Sequence, residues 1–108
     1  MPYIRFYALE QEQVVNVSKD LKYELANALN INEDAWELMY MPSSFFSKGV
    51  SVSGAPFIEV IWMTRPQEVQ DLCAKIVSAN IKKSTQLDCM ILFLNTPKEN
   101  FYKNGIHY

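Results

Sequence analysis

A proline stands at position 2, directly behind the initiating methionine. Removal of Met1 leaves its nitrogen as a secondary amine at a chain end, and such an amine titrates at about 7.7–8.0, well below lysine. Shelter from water disfavours the charged form and moves that value lower still. The ring fixes the direction of the lone pair. A nitrogen of this kind can take a proton from a carbon beside a carbonyl and return it to another atom. Arg65 is the second group with matching chemistry: it can hold a substrate carboxylate or an enolate oxygen by charge-assisted hydrogen bonds, or simply face water at a helix start. Glu37 and Glu59 are the carboxylates that could act as a further acid or base, although solvated or paired carboxylates are the commoner case. His107 is the only histidine; it sits in a tail where exposure is expected, and alone it makes no metal site. No phosphate loop, Ser/His/Asp set or metal-ligand spacing is present, so neither a cofactor nor a metal is expected.

These groups must be positioned by the elements around them. Residues 3–9 are rich in aromatic and β-branched side chains and read as a strand. Over residues 11–29, Val14, Val17, Leu21, Leu25 and Ala28 recur at helical spacing. Trp36, Leu38 and Tyr40 alternate with Glu37 and Met39 as a second strand, closed by Pro42. Residues 43–55 are serine-rich, with Lys48-Gly49 and Ser53-Gly54 as turn signals and room for a small hairpin between them. A third strand covers 57–63. Thr64-Arg65-Pro66-Gln67 then opens a helix, with Thr64 and Gln67 spaced as a capping box. Val69, Leu72, Cys73, Ile76, Val77 and Asn80 mark its inner stripe as far as Lys83. A fourth strand covers 88–94, and 97–108 is a polar and aromatic tail.

The two halves echo each other. Met1-Pro2-Tyr3-Ile4-Arg5-Phe6 falls on Ala55-Pro56-Phe57-Ile58-Glu59-Val60 at an offset of 54, and Trp36, Leu38 and Tyr40 fall on Met90, Leu92 and Leu94. The helices follow at an offset of 55. The expected fold class is therefore α+β: one domain over 1–108, built from duplicated β-α-β units at about 2–41 and 56–94, with a four-stranded mixed sheet and both helices on one face. If the first strands of the halves pair antiparallel in the middle, Ile4, Phe6, Ala8, Ile58, Val60 and Trp62 face the helices. The opposite face carries Tyr3, Arg5, Tyr7, Phe57, Glu59 and Ile61. That face is too apolar to stay bare in a chain this small, which predicts an oligomer. Arg5 and Glu59 occupy equivalent positions there and are expected to pair at a subunit interface.

The same topology brings Asp34, Trp36 and Glu37, from the second strand, to the edge where Pro2 stands. It brings Trp62, Met63, Thr64 and Arg65 there from the third. Trp36, Glu37, Trp62 and Thr64 are thus the expected substrate-binding residues. Phe101, Tyr102 and Tyr108 of the tail are expected to pack on a neighbouring subunit, where Tyr102 can wall its pocket. Cys73 lies on the inner helix stripe as a small buried hydrophobe, roughly 15 Å from that helix's end, so no bond to Cys89 is expected.

Composition excludes several classes. The 108 residues are 49% hydrophobic and 20% charged, with a formal net charge of −2, which argues against disorder and against a phosphate backbone as main partner. The longest apolar run, Met90 to Leu94, is far short of the ~20 residues that span a bilayer. With no secretory leader, the two cysteines are expected as free thiols in a reducing cytoplasm.

The start at Met-Pro, the strand directly after it and the duplicated β-α-β unit resemble the tautomerase superfamily, which includes 4-oxalocrotonate tautomerase and macrophage migration inhibitory factor. Pro56-Phe57-Ile58-Glu59-Val60-Ile61-Trp62, Gln67-Glu68-Val69-Gln70-Asp71 and Lys98-Glu99-Asn100-Phe101-Tyr102-Lys103-Asn104-Gly105 are similar to a small bacterial branch of that superfamily without an assigned function. The resemblance spans nearly the whole chain. It implies a homotrimer in which Pro2, exposed by loss of Met1, is the catalytic base of a keto–enol tautomerase acting on a small carbonyl compound. The sequence departs from the better-known enzymes, however. In the neighbourhoods where 4-oxalocrotonate tautomerase carries arginines, shortly after the first strand and near the start of the second, this chain has Glu10, Glu12, Trp36 and Glu37. Before the second strand, where the inhibitory factor carries a lysine, it reads Asn30-Ile31-Asn32-Glu33-Asp34. A non-enzymatic trimer that binds a small molecule or a partner is the alternative on the same fold. A ferredoxin-like dimer is the alternative on another, sharing the element string but not the strand order.

Overall fold

Aromatic and β-branched residues carry Tyr3–Tyr7 into the first strand, β1, where burial alternates residue by residue. The computed structural model describes residues 2–108. After β1 come helix α1 (Gln11–Leu29), a 3₁₀ turn (Glu33–Ala35), β2 (Glu37–Met41) and a hairpin of β3 (Phe45–Ser47) and β4 (Val50–Val52). Then follow β5 (Phe57–Met63), α2 (Gln67–Thr85), β6 (Met90–Thr96), a second 3₁₀ turn (Lys98–Asn100) and a small hairpin of β7 (Tyr102–Lys103) and β8 (Ile106–His107).

Four strands form one sheet in the order β2-β1-β5-β6. β1 and β5 are antiparallel in the middle, and each edge strand runs parallel to its neighbour. Each helix therefore joins two strands that lie side by side. A ferredoxin-like order, the alternative raised by the element string, is excluded by this register. The duplication is visible in single bonds: the Pro2 carbonyl accepts from the Glu37 N–H at 3.0 Å, and the Pro56 carbonyl accepts from the Met90 N–H at 3.1 Å.

Both helices pack on one face of the sheet. Val14, Val17, Leu21 and Leu25 of α1 and Cys73, Val77 and Ile81 of α2 close over Ile4, Phe6, Ile58, Val60 and Trp62. Fully burying one such large apolar side chain contributes roughly 1.5–3 kcal/mol, so this layer dominates the stability of the fold. Trp36 is also fully buried, its ring centre 6.3 Å from that of Trp62.

Several expectations are corrected. Thr64 and Gln67 do not form a capping box: the N-cap of α2 is Pro66, and the Gln67 amide donates instead to Asp71 at 2.9 Å. The true reciprocal contact is at α1, where Gln13 Oε1 accepts from the Glu10 N–H at 2.8 Å. Leu72 and Ala28 lie outside the buried stripes, and Ile81 takes the inward place on α2. Ala8, expected to face the helices from the strand, sits past the end of β1 in the left-handed region, with φ 62°. Trp36 precedes β2 rather than lying inside it. The tail is not featureless, for it folds into the second 3₁₀ turn and the β7–β8 hairpin.

The opposite face of the sheet has no helix on it. Tyr3, Arg5, Tyr7, Phe57, Glu59 and Ile61 are each partly buried there, while Met90, Leu92 and Leu94 stand 69%, 46% and 37% exposed along its β6 edge. At its centre Arg5 lies opposite Glu59 in the register. Its Nη1 is 3.7 Å from Glu59 Oε1, and the Tyr7 hydroxyl donates to that same oxygen at 2.6 Å. The bond to Glu59 holds the Tyr7 hydroxyl protonated above its ordinary range.

Candidate functional site

Parallel pairing of β1 with β2 and of β5 with β6, and antiparallel pairing of β1 with β5, bring four strand ends to one edge of the sheet. Pro2 precedes β1 and is fully buried. Trp36 directly precedes β2 and Glu37 opens it, and the Glu37 N–H reaches back to the Pro2 carbonyl. β5 ends at Met63 and continues through Thr64 and Arg65, where the Thr64 N–H bonds the carbonyl of Thr96 at 3.0 Å. The topology thus gathers Pro2, Trp36, Glu37, Trp62, Thr64 and Arg65 at one end of the molecule. Within that group Glu37 and Thr64 are exposed, while Trp36 and Trp62 lie beneath the surface as its floor. Met1, whose removal frees the amine, lies outside the described residues.

Arg65 is held rather than free. Its guanidinium carbon sits 5.1 Å from the centre of the Trp62 ring, a cation–π placement that keeps the charge against an aromatic face. Its Nε is buried and has no hydrogen-bond partner, and burial lowers the affinity of this guanidinium for its proton. The terminal nitrogens are the part left to meet an anion. Trp62 is fixed in turn by Asn95, which accepts from the indole Nε1–H at 2.7 Å and donates to Gln70 at 2.9 Å. Trp62 also stacks on Phe93, with ring centres 5.2 Å apart. Asn95 was missed in the sequence reading, although a polar residue ending the apolar run of Met90 to Leu94 is a legible signal. The Trp36 indole nitrogen, by contrast, is buried without a partner.

Tyr102 does not join this group. It lies on the β7–β8 hairpin, 65% exposed, with its ring edge-on to His107 at 6.0 Å. Glu59 is likewise elsewhere, in the Arg5 pair on the open face. Two clefts of about 550 and 420 Å³ indent the chain, and Pro2 lines neither. The larger lies between the helices. The smaller is at the other end of β1, among Glu10, Tyr40, Phe45 and serines of the β3–β4 region. Neither of these two clefts reaches the Pro2 end.

Cys73 and Cys89 are both free thiols. Burial pushes the Cys73 thiol up to about 12, and nearby Arg65 opposes this only in part. A raised value keeps the thiol neutral, so at pH 8 Cys73 is expected to alkylate ~1,000-fold more slowly than an ordinary cysteine. Mass spectrometry of the Cys73 peptide after iodoacetamide treatment, with and without denaturant, measures that ratio. Among the described residues no group of three or more His, Cys, Asp or Glu side chains is placed to hold a metal ion, and no helix is long and apolar enough to cross a membrane.

Comparison with known proteins agrees with this fold. The family model described as a domain of unknown function, DUF1904, matches residues 1–107. A solved DUF1904 structure from Sebaldella termitidis superposes with a TM-score of 0.91 at 30% identity, covering 100% of both chains. A fused 4-OT wild-type asymmetric trimer superposes at 0.80 with 11% identity, over 97% of this chain and 94% of that one. A macrophage migration inhibitory factor-like protein from Entamoeba histolytica superposes at 0.74 with 10% identity, over 99% and 98%. No curated protein matches the sequence. The last two structures share the fold, and that fold is the α+β tautomerase-like sheet with two helices.

Proposed function

The chain belongs to the DUF1904 family, on the fold of the tautomerase superfamily, and from that premise we propose that it is a homotrimeric tautomerase whose base is the amine of Pro2. The reading requires Met1 to be removed. The Pro2 nitrogen then takes a proton from carbon beside the carbonyl of a small substrate, breaking C–H and forming N–H. It returns that proton to another atom of the same substrate, so no oxidant or cofactor enters the balance. Arg65 holds the oxygen that becomes negative in the enolate. Glu37 and Thr64 form the rim, Trp36 and Trp62 the floor, and Tyr102 of a neighbouring copy a wall.

The observation that carries this reading is the full burial of Pro2 at the same sheet end as an arginine seated on Trp62. Burial favours an uncharged amine, the form a base needs. Trimerisation is supported by the bare apolar sheet face, with Met90, Leu92 and Leu94 exposed, and by the trimeric 4-OT neighbour. The experiment is covalent: the natively expressed protein is incubated with 3-bromopropiolate and the adduct is mapped. Modification confined to residue 2, in a particle that sediments as a trimer, is expected. The non-enzymatic reading rests on Glu10, Glu12 and Glu37, carboxylates in the neighbourhoods where the resemblance would call for cations. A trimer left unlabelled at residue 2 selects it.

A further inference from the structure

On the outward side of the helix layer, α1 and α2 leave between them the larger cleft, about 550 Å³, lined in part by Tyr23, Glu24, Ala28, Ile76, Ala79 and Asn80. This volume lies in the range of small-molecule sites, roughly 300–1,000 Å³, and the lining has their character, an apolar surface with a few polar groups. Those polar groups are specific. Asn80 is the only buried polar side chain among the described residues, 5% exposed. Its amide nitrogen donates to the Ile76 carbonyl at 2.9 Å and to the Glu24 carboxylate on the facing helix. Both of its hydrogens are thereby committed, so its oxygen is left as an acceptor only.

Glu24 is partly buried and has no cation within ion-pair distance among the described residues. Lys83, which also borders the cleft, is 3.7 Å from Asp20 instead. A strut between the helices would need only the Glu24–Asn80 bond. Here the bond edges an apolar hollow and leaves a carboxylate without a counter-charge, an arrangement that a cation improves.

We infer that this cleft is a binding site for a small primary amine with an apolar body. An ammonium has three donors and no acceptor, which matches Glu24 and the Asn80 oxygen. The hydrocarbon part covers Ala28, Ile76 and Ala79 beside the Tyr23 ring. The site lies on the helix layer, away from the open sheet face, so it does not depend on the tautomerase reading or on trimerisation.

The test is a titration of the isotope-labelled full chain with 2-phenylethylamine at neutral pH, followed by amide chemical shifts, with 2-phenylethanol as the uncharged control. Saturable shifts confined to α1 and α2 are expected, with the amine binding at least tenfold more tightly than the alcohol. Glu24→Gln is expected to erase that ratio while leaving alcohol binding in place, and Ala79→Leu to shut out both compounds by filling the hollow. The inference is overturned if the alcohol binds as tightly as the amine, if the shifts lie elsewhere, or if Glu24→Gln binds the amine like the parent. Should Glu24→Gln not fold, undiminished amine binding by Ala79→Leu overturns it equally.

Discussion

A chain that retains Met1 is expected to catalyse proton exchange beside the carbonyl of a small 2-oxo acid 10²–10⁴-fold more slowly than the processed chain, that being about the contribution of a positioned general base. The reason is a single bond. In the retained form the Pro2 nitrogen is an amide whose lone pair is delocalised and has no useful basicity. In the processed form it is a secondary amine with a free lone pair. Deuterium incorporation read by NMR, on two preparations whose intact masses differ by one methionine, makes the comparison. Processed Pro2→Ala keeps a primary amine and should fall between them. Equal rates in the processed and retained chains would remove Pro2 from the mechanism.

The largest expected effect on stability is at Trp62. Trp62→Ala deletes a fully buried ring that packs on Trp36 and Phe93 and supports the Arg65 guanidinium. It also leaves the Asn95 oxygen without its 2.7 Å partner. Truncations of this size cost about 3–5 kcal/mol, the cavity and the lost transfer energy acting together. For a chain of this length that corresponds to a fall in melting temperature of roughly 15–30 °C. Trp62→Phe keeps a ring in the stack and should lose well under half as much. Thermal unfolding followed by circular dichroism separates the two variants; a shift of only a few degrees for Trp62→Ala would mean that this layer repacks freely.

Much of this arrangement was legible before any coordinates. The bounds of α1 follow from the apolar positions Val14, Val17, Leu21 and Leu25, all of which are buried. Alternation alone told apart the two faces of β1 and β5, because a one-residue slip would have exposed Ile4, Phe6, Ile58 and Val60 together. The repeat offset placed Arg5 opposite Glu59, and the register does the same. What failed was local and polar. The pairing of Thr64 with Gln67 is a spacing rule, and Pro66 at the N-cap together with Asp71 one turn on took its place. Trp36 and Trp62, both expected among the substrate-binding residues, are fully buried, a depth that position at a strand end does not reveal. The β7–β8 hairpin went unseen because strands of two residues each carry too few positions to show a period.

The doubled carbonyl contact, Pro2 with Glu37 and Pro56 with Met90, has a bearing on stoichiometry. Two prolines occupy matching corners of one architecture, but Pro56 has its nitrogen in a mid-chain peptide bond, so the proposed loss of Met1 would turn only the Pro2 corner into an amine. Under the proposed mechanism each molecule thus holds a single amine corner, and the Pro56 corner carries no share of the chemistry.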